Sequence, residues 1–174
     1  THSSLVTALS PSARMTAPGL WLVLAISRNS VARKGSQRKL RQASRVPIAT
    51  GEHVYTRWQV KEFLLRDAVD VVQTDPDWTG GITEMMKICA LTSAFEIPVV
   101  AHGHSLLAAL HVAAAQAPTT VPRVEFLIRG QETKQFFQNP IYRPENGDVV
   151  LPDLPGLGIV VDESKIEYRE GVTF

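Results

Sequence analysis

Four ionisable side chains stand at the same kind of position, at or near the end of a short apolar stretch. They are Glu52 and His102, which follow the first and third stretches, Asp75, which ends the second, and Glu125, which lies inside the fourth. A carboxylate suits Mg²⁺, which usually takes more than one. An Asp beside a His can fix the imidazole tautomer and raise its pKa, which makes a better general base. A metal, a His–Asp pair and a further acid together suit removal of a proton next to a carboxylate, where negative charge develops.

Strand-like and helix-like stretches alternate between Val46 and Ile128. The predicted strands cover residues 46–50, 69–75, 97–101 and 124–128, and the predicted helices cover about 57–67, 82–95 and 106–116. This βαβ alternation implies parallel strands with right-handed crossovers, in an α/β fold. Active sites in such folds form at the carboxyl ends of the strands. We therefore expect the four side chains to share one rim.

Charge is distributed unevenly along the chain. Residues 1–51 contain no Asp or Glu but eight Lys and Arg, and all 17 acidic residues follow from Glu52 onward. Such a break in composition indicates a boundary. We expect a basic, acid-free segment of doubtful origin over residues 1–40, a βαβαβαβ unit over 41–130, and an irregular, turn-rich C-terminal tail over 131–174, with short strands at 148–151 and 158–161.

Bulk properties exclude several classes of protein. The 174 residues are enough for one domain but short for a complete α/β barrel, which needs about 250. The net charge of +1 gives no reason to expect a nucleic-acid partner. The single cysteine, Cys89, suits a reducing compartment and is expected to be buried. No apolar run reaches the roughly 18 residues of a membrane span. We expect a cytoplasmic protein.

Several short motifs, in a fixed order, resemble the mandelate racemase branch of the enolase superfamily. They are Ile48-Ala49-Thr50-Gly51-Glu52-His53, Gln73-Thr74-Asp75-Pro76 with Gly80-Gly81-Ile82-Thr83-Glu84, Val99-Val100-Ala101-His102-Gly103, Arg143-Pro144-Glu145-Asn146-Gly147 and Pro155-Gly156-Leu157-Gly158. The resemblance covers about residues 38–169 and is strongest to rhamnonate dehydratase-like sugar-acid dehydratases. It implies the C-terminal half of a TIM-like (β/α)-barrel, incomplete, with residues 41–130 as the partial barrel.

The resemblance also implies a role for each of the four side chains. Glu52 becomes the third of three carboxylate ligands to Mg²⁺. His102 becomes the general base that removes the proton α to the substrate carboxylate, and Asp75 orients it. Glu125 stabilises the enediolate. The implied reaction dehydrates a small-molecule sugar acid to a 2-keto-3-deoxy acid, with Mg²⁺ as the cofactor. His104, two residues beyond the predicted base, is interpreted as a loop residue.

Other parts of the family's site are missing from the sequence. The strand before Glu52 ends in the family with a Leu-Glu-Glu-Pro type motif, whereas residues 22–30 contain no acid. The N-terminal capping domain is absent too. Residues 1–40 have three interpretations: an organelle-targeting peptide, a genuine basic arm, or an out-of-frame or misjoined translation, which we favour. The fragment alone is therefore expected to be inactive.

Two alternatives to a dehydratase stay open. The first is a racemase or epimerase of the same superfamily, which often needs a second base on the opposite face of the substrate. The second is a catalytically dead remnant, or a half-barrel that must associate with another chain, including a homo-oligomer. Half a barrel leaves parallel edge strands unpaired, which favours association.

Overall fold

Parallel strands and helices alternate in the computed structural model, which describes residues 4–9, 24–25 and 34–171, with side chains from residue 37. The strands are β1 (Ser4–Leu9), β2 (Leu24–Ala25), β3 (Ile48–Thr50), β4 (Val71–Val72), β5 (Val100–Ala101), β6 (Arg123–Phe126) and β7 (Asp148–Val150). The helices are α1 (Lys34–Ala43), α2 (Thr56–Leu65), α3 (Pro76–Thr79), α4 (Ile82–Ser93), α5 (Leu106–Ala114) and α6 (Gln131–Lys134). Short 3₁₀ turns cover Gly103–Ser105 and Glu163–Lys165.

The strands that carry the predicted site form one parallel series. Strands β2, β3 and β4 pair in that order, and β5 pairs with β6, all in parallel. A parallel bridge between Val72 and Val99 joins the two groups. The predicted α/β fold with a parallel partial barrel is thereby confirmed.

The far edge of this series is covered by the N-terminal strand. Strand β1 pairs antiparallel with β6, and β7 pairs parallel with β1 on its other side. The expectation that a half-barrel leaves this edge unpaired is therefore wrong for β6. Strands β1 and β2 both come from the acid-free segment of residues 1–40.

The regular strands are shorter than predicted, although backbone hydrogen bonds between neighbouring segments continue beyond their ends. The predicted strand 69–75 reduces to Val71–Val72. Beyond that strand, the backbone N–H of Gln73 still donates to the Thr50 carbonyl at 2.8 Å, and that of His102 donates to the Thr74 carbonyl at 2.9 Å. The residues at the strand ends therefore stay in register while their side chains turn to the rim.

Helices α2, α4 and α5 bury their apolar faces in the core. In α2 the buried residues are Val60, Phe63 and Leu64, at the helical spacing that the sequence predicts. Cys89 of α4 is fully buried, as expected, and burial raises the pKa of its thiol to about 12. Such a thiol stays protonated near neutral pH and is not a nucleophile.

The tail after β6 is irregular, as predicted, and is fixed by side-chain hydrogen bonds. Gln135 exchanges two hydrogen bonds with the backbone of Tyr142, and the Tyr142 hydroxyl donates to the Gly158 carbonyl at 2.9 Å. The short strand expected at 148–151 forms as β7. The one expected at 158–161 does not form, because Gly158 adopts a φ of +72°, and only Val161 makes an isolated bridge.

Among residues 34–171, no helix combines the length and the apolar character needed to cross a bilayer. The longest, α4, has 12 residues, whereas a span needs about 20.

Candidate active site

The structure brings the four predicted side chains together around His102. Its Nε2 atom lies 3.6 Å from Glu52 Oε1 and 3.8 Å from Glu125 Oε2. On the other side of the ring, Nδ1 lies 3.8 Å from Asp75 Oδ2. Because these residues follow or end successive parallel strands, β3 to β6, their side chains meet at one rim.

Asp75 is held rigidly at the start of α3. Its side chain is completely buried and caps the helix by accepting the Asp77 backbone N–H on Oδ1 at 2.9 Å. Its Oδ2 atom accepts the backbone N–H groups of His104 and Ser105, at 2.9 and 3.1 Å. These bonds tie the carboxylate to the turn that follows His102, so the two residues keep a fixed relation.

The neighbouring carboxylates favour the charged form of His102. Burial of the imidazole opposes protonation, but the interaction with Asp75 and the negative charges of Glu125 and Glu52 outweigh it, and the pKa of His102 is raised above its ordinary value. Its Nδ1 atom is buried and has no hydrogen-bond partner among the described residues. A contraction of less than about 1 Å toward Asp75 would make that bond.

Sequence reasoning missed Gln73, which belongs to the same rim. Its side-chain Nε2 donates to Glu125 Oε2 at 2.7 Å. Gln73 precedes Asp75 by two residues, and residues two apart along an extended segment face the same side. Applied to the motif Gln73-Thr74-Asp75, this period of two would have placed the amide beside the predicted site.

Two glycines allow the strand ends to approach one another. Gly51 has a φ of +137°, and a Cβ there would lie 3.2 Å from the backbone of Gln73. A Cβ at Gly103 would lie 2.0 Å from the carbonyl oxygen of Glu125. Each glycine is next to a predicted site residue, so these close approaches bring Glu52 and His102 to the rim.

A partly buried ion pair joins the start of α2 to the start of α4 near the rim. Glu84, in the first turn of α4, accepts the backbone N–H of Arg57 at 2.8 Å and its Nη1 at 2.6 Å. The pKa of Glu84 is lowered, chiefly by the bond from the Arg57 backbone, against the opposing effect of burial. The loop after Glu52 and the loop after Asp75 are thus held together.

Glu52 presents a carboxylate at the rim that could hold a metal ion. Its carboxylate is partly exposed, and one oxygen lies 3.5 Å from His53 Nε2. Residues 1–51 supply no second carboxylate. Among the described side chains, Asp75, Asp77 and His104 have possible ligand atoms within 4.8 Å of one another. Both oxygens of Asp75 are already bonded to backbone N–H groups, so this group is better explained as a capped turn.

Comparison with known proteins places these features in a family. The sequence profile described as enolase C-terminal domain-like matches residues 31–165. Arabinonate dehydratase of Saccharolobus solfataricus is 39% identical over 133 residues, covering 74% of this chain and 35% of that protein. D-galactonate dehydratase of Ralstonia pickettii is 31% identical over 139 residues, covering 75% and 36%. The chain spans about a third of the length of these curated relatives.

Solved structures agree with the sequence comparison. The crystal structure of an enolase from Bradyrhizobium, complexed with magnesium and mandelic acid, superposes with a TM-score of 0.67 at 25% identity. The superposition covers 80% of this chain and 37% of that one. The profile match, the curated relatives and the parallel strand–helix series agree, and the chain therefore belongs to the enolase superfamily, as a member of the enolase C-terminal domain-like family.

Proposed function

We propose that this chain carries the proton-transfer side of a Mg²⁺-dependent sugar-acid dehydratase site. The observation that supports this most is the grouping around His102, with Asp75 on one ring nitrogen and Glu52 and Glu125 near the other. The names of two curated relatives, arabinonate dehydratase and D-galactonate dehydratase, suggest the class of substrate. The substrate is then an aldonate, a small-molecule sugar acid.

In this proposal His102 acts first as a base and then as an acid. Its Nε2 atom removes the proton α to the substrate carboxylate, and Asp75 stabilises the imidazolium that forms. Glu125 forms a hydrogen bond with the enediolate oxygen, which carries the developing charge. His102 then returns its proton to the β-hydroxyl, which leaves as water. The enol that remains tautomerises to a 2-keto-3-deoxy acid.

Glu52 would be one ligand of the cation. A bound Mg²⁺ ion supplies Lewis-acid stabilisation of charge on the substrate carboxylate. Because Mg²⁺ prefers six oxygen ligands and residues 1–51 contain no acid, we propose that other carboxylates must come from outside that segment and that the chain alone is inactive. A second copy, or another chain, would then complete the site.

A racemase or epimerase of the same superfamily is the alternative. Such an enzyme would place a second base on the opposite face of the substrate. Both of the relatives described above carry the name dehydratase, which favours loss of water after proton removal. The two reactions differ in product: dehydration gives a 2-keto-3-deoxy acid, and epimerisation gives the inverted aldonate.

A chimera tests this proposal by joining the chain to the segments of a relative that it does not match. Residues 38–171 would replace the matching segment of the S. solfataricus arabinonate dehydratase, and a panel of aldonates would be incubated with Mg²⁺. We expect a 2-keto-3-deoxy product from the chimera and none from the 174-residue chain alone. Epimerised aldonate without dehydration would favour the alternative. A folded, Mg²⁺-binding chimera that changes no aldonate would contradict both.

A further inference from the structure

One hydrogen bond at the rim connects two strands that are not neighbours. Gln73 follows β4 and Glu125 belongs to β6, while β5, which leads to His102, lies between them. The Gln73 amide nevertheless reaches Glu125 Oε2 at 2.7 Å. This bond therefore passes in front of the end of the strand that leads to His102. Glu125 is only 7% exposed, so it has little access to water as an alternative partner.

The bond holds one oxygen of Glu125 in place. A carboxyl group presents two oxygens, and Oε2 accepts the amide N–H of Gln73. Oε2 therefore lies between the Gln73 amide, at 2.7 Å, and His102 Nε2, at 3.8 Å. With one oxygen held in this way, the carboxyl group cannot rotate freely, and the orientation that it presents to a ligand is fixed.

We propose that Gln73 is a positioning residue that anchors Glu125 through Oε2 and so fixes the orientation in which the Glu125 carboxyl group meets the enediolate. The inference rests on the proposed function, in which Glu125 forms a hydrogen bond with that intermediate. Gln73 acts through Glu125 and does not itself touch the reacting atoms. Partners of this kind change activity by fixing the orientation of the group that they hold.

The test compares two substitutions on the same segment of the full chain. Gln73→Met keeps the length of the side chain and removes the amide donor. Thr74→Val is the matched control, because the Thr74 hydroxyl is buried without a hydrogen-bond partner among the described residues. In crystal structures we expect the distance from Glu125 Oε2 to His102 Nε2, 3.8 Å in the native chain, to lengthen in Gln73→Met and to stay the same in Thr74→Val. An unmoved Glu125 carboxylate in Gln73→Met would overturn the proposal.

A second measurement does not require Gln73→Met to fold. In the native chain, NMR should show one proton of the Gln73 side-chain amide shifted downfield by its bond to the carboxylate. In Glu125→Ala we expect that signal to return to the position of a solvated amide, and in Thr74→Val to stay. A Gln73 amide at the solvated position in the native chain would also overturn the proposal.

Kinetics then separate positioning from a purely structural role. In the chimera, Gln73→Met should lower kcat by about 10- to 100-fold with little change in KM, and Thr74→Val should leave both unchanged. Unchanged kcat in Gln73→Met would contradict positioning. Failure of the proposed function is distinguishable, because the native chimera would then be inactive while the Gln73–Glu125 bond was still seen in the chain.

Discussion

At the scale of single residues, the environment of His102 decides what the rim can do. An isolated imidazole with burial alone would be kept neutral, but three carboxylates surround this one, and its pKa is raised. A raised pKa suits a general base, because the imidazole keeps the proton that it has removed. The Asp75 carboxylate accepts three backbone N–H groups, so we expect its position to change little when His102 becomes protonated.

The raised pKa of His102 predicts how stability varies with pH. Because the folded state binds this proton more tightly than the unfolded state, His102 stabilises the fold below its unfolded pKa of about 6.5, and this contribution is lost as the pH rises through the folded pKa. In the metal-free chain, His102→Asn should therefore lower the free energy of unfolding by more at about pH 5.5 than at about pH 9. Urea denaturation measures it, and a difference independent of pH would contradict this.

At the scale of elements, close backbone approaches and one ion pair hold the loops that carry the site. The turn after His102 lies against β6, and the N-terminus of α2 is bonded to the first turn of α4. These contacts join parts of the chain far apart in sequence. They explain why side chains from three separate loops and from β6 meet within a few ångströms.

Gly103 is predicted to tolerate no side chain. A Cβ there would meet the Glu125 carbonyl oxygen at 2.0 Å, so Gly103→Ala must push the turn away from β6. We expect a loss of about 1–3 kcal/mol in the free energy of unfolding. Gly130→Ala is the control, because its Cβ would meet nothing closer than 3.6 Å. Equal stability of the two variants by urea denaturation would show that the approach is not tight.

The Arg57–Glu84 pair is predicted to stabilise the fold above acidic pH. The pKa of Glu84 is lowered in the folded state, so its contribution is present above the unfolded pKa and is lost as the pH falls through the folded value. Glu84→Gln should cost about 1–3 kcal/mol at neutral pH and less in acid. Glu132→Gln, which breaks an exposed pair with Arg143, should cost almost nothing. Similar losses of free energy in both variants would show that partial burial does not strengthen the Arg57–Glu84 pair.

The sequence predicts the alternation of strands and helices well, because buried apolar stretches and helical spacing are local signals. It also predicts that Glu52, Asp75, His102 and Glu125 lie at one rim. It could not show that Gln73 reaches Glu125 across β5, since that contact depends on the packing of three strands. The sequence could not predict the pairing of β1 with β6 either, because an apolar stretch does not specify which strand lies beside it in the sheet.

At the scale of the whole molecule, the chain matches about a third of the length of the two dehydratases described above, and the proposed metal site needs ligands besides Glu52. We expect the chimera to unfold at a higher temperature with Mg²⁺, because binding to the folded state stabilises it by mass action. In Glu52→Gln that shift should largely disappear. Glu132→Gln is the control for loss of an exposed carboxylate. A full Mg²⁺ shift in Glu52→Gln would remove Glu52 from the metal site.

The most direct test of the account is exchange of the α-hydrogen of an aldonate by the chimera, measured as release of deuterium from an α-deuterated substrate into H₂O. This exchange reports proton removal in either reaction, because dehydration leaves no hydrogen on the former α-carbon and epimerisation replaces it from the second base. It should disappear in His102→Asn and persist in His104→Asn, whose side chain lies two residues farther along the same turn and bonds Asp77 instead. Exchange that survives in His102→Asn would contradict the central claim that His102 is the base.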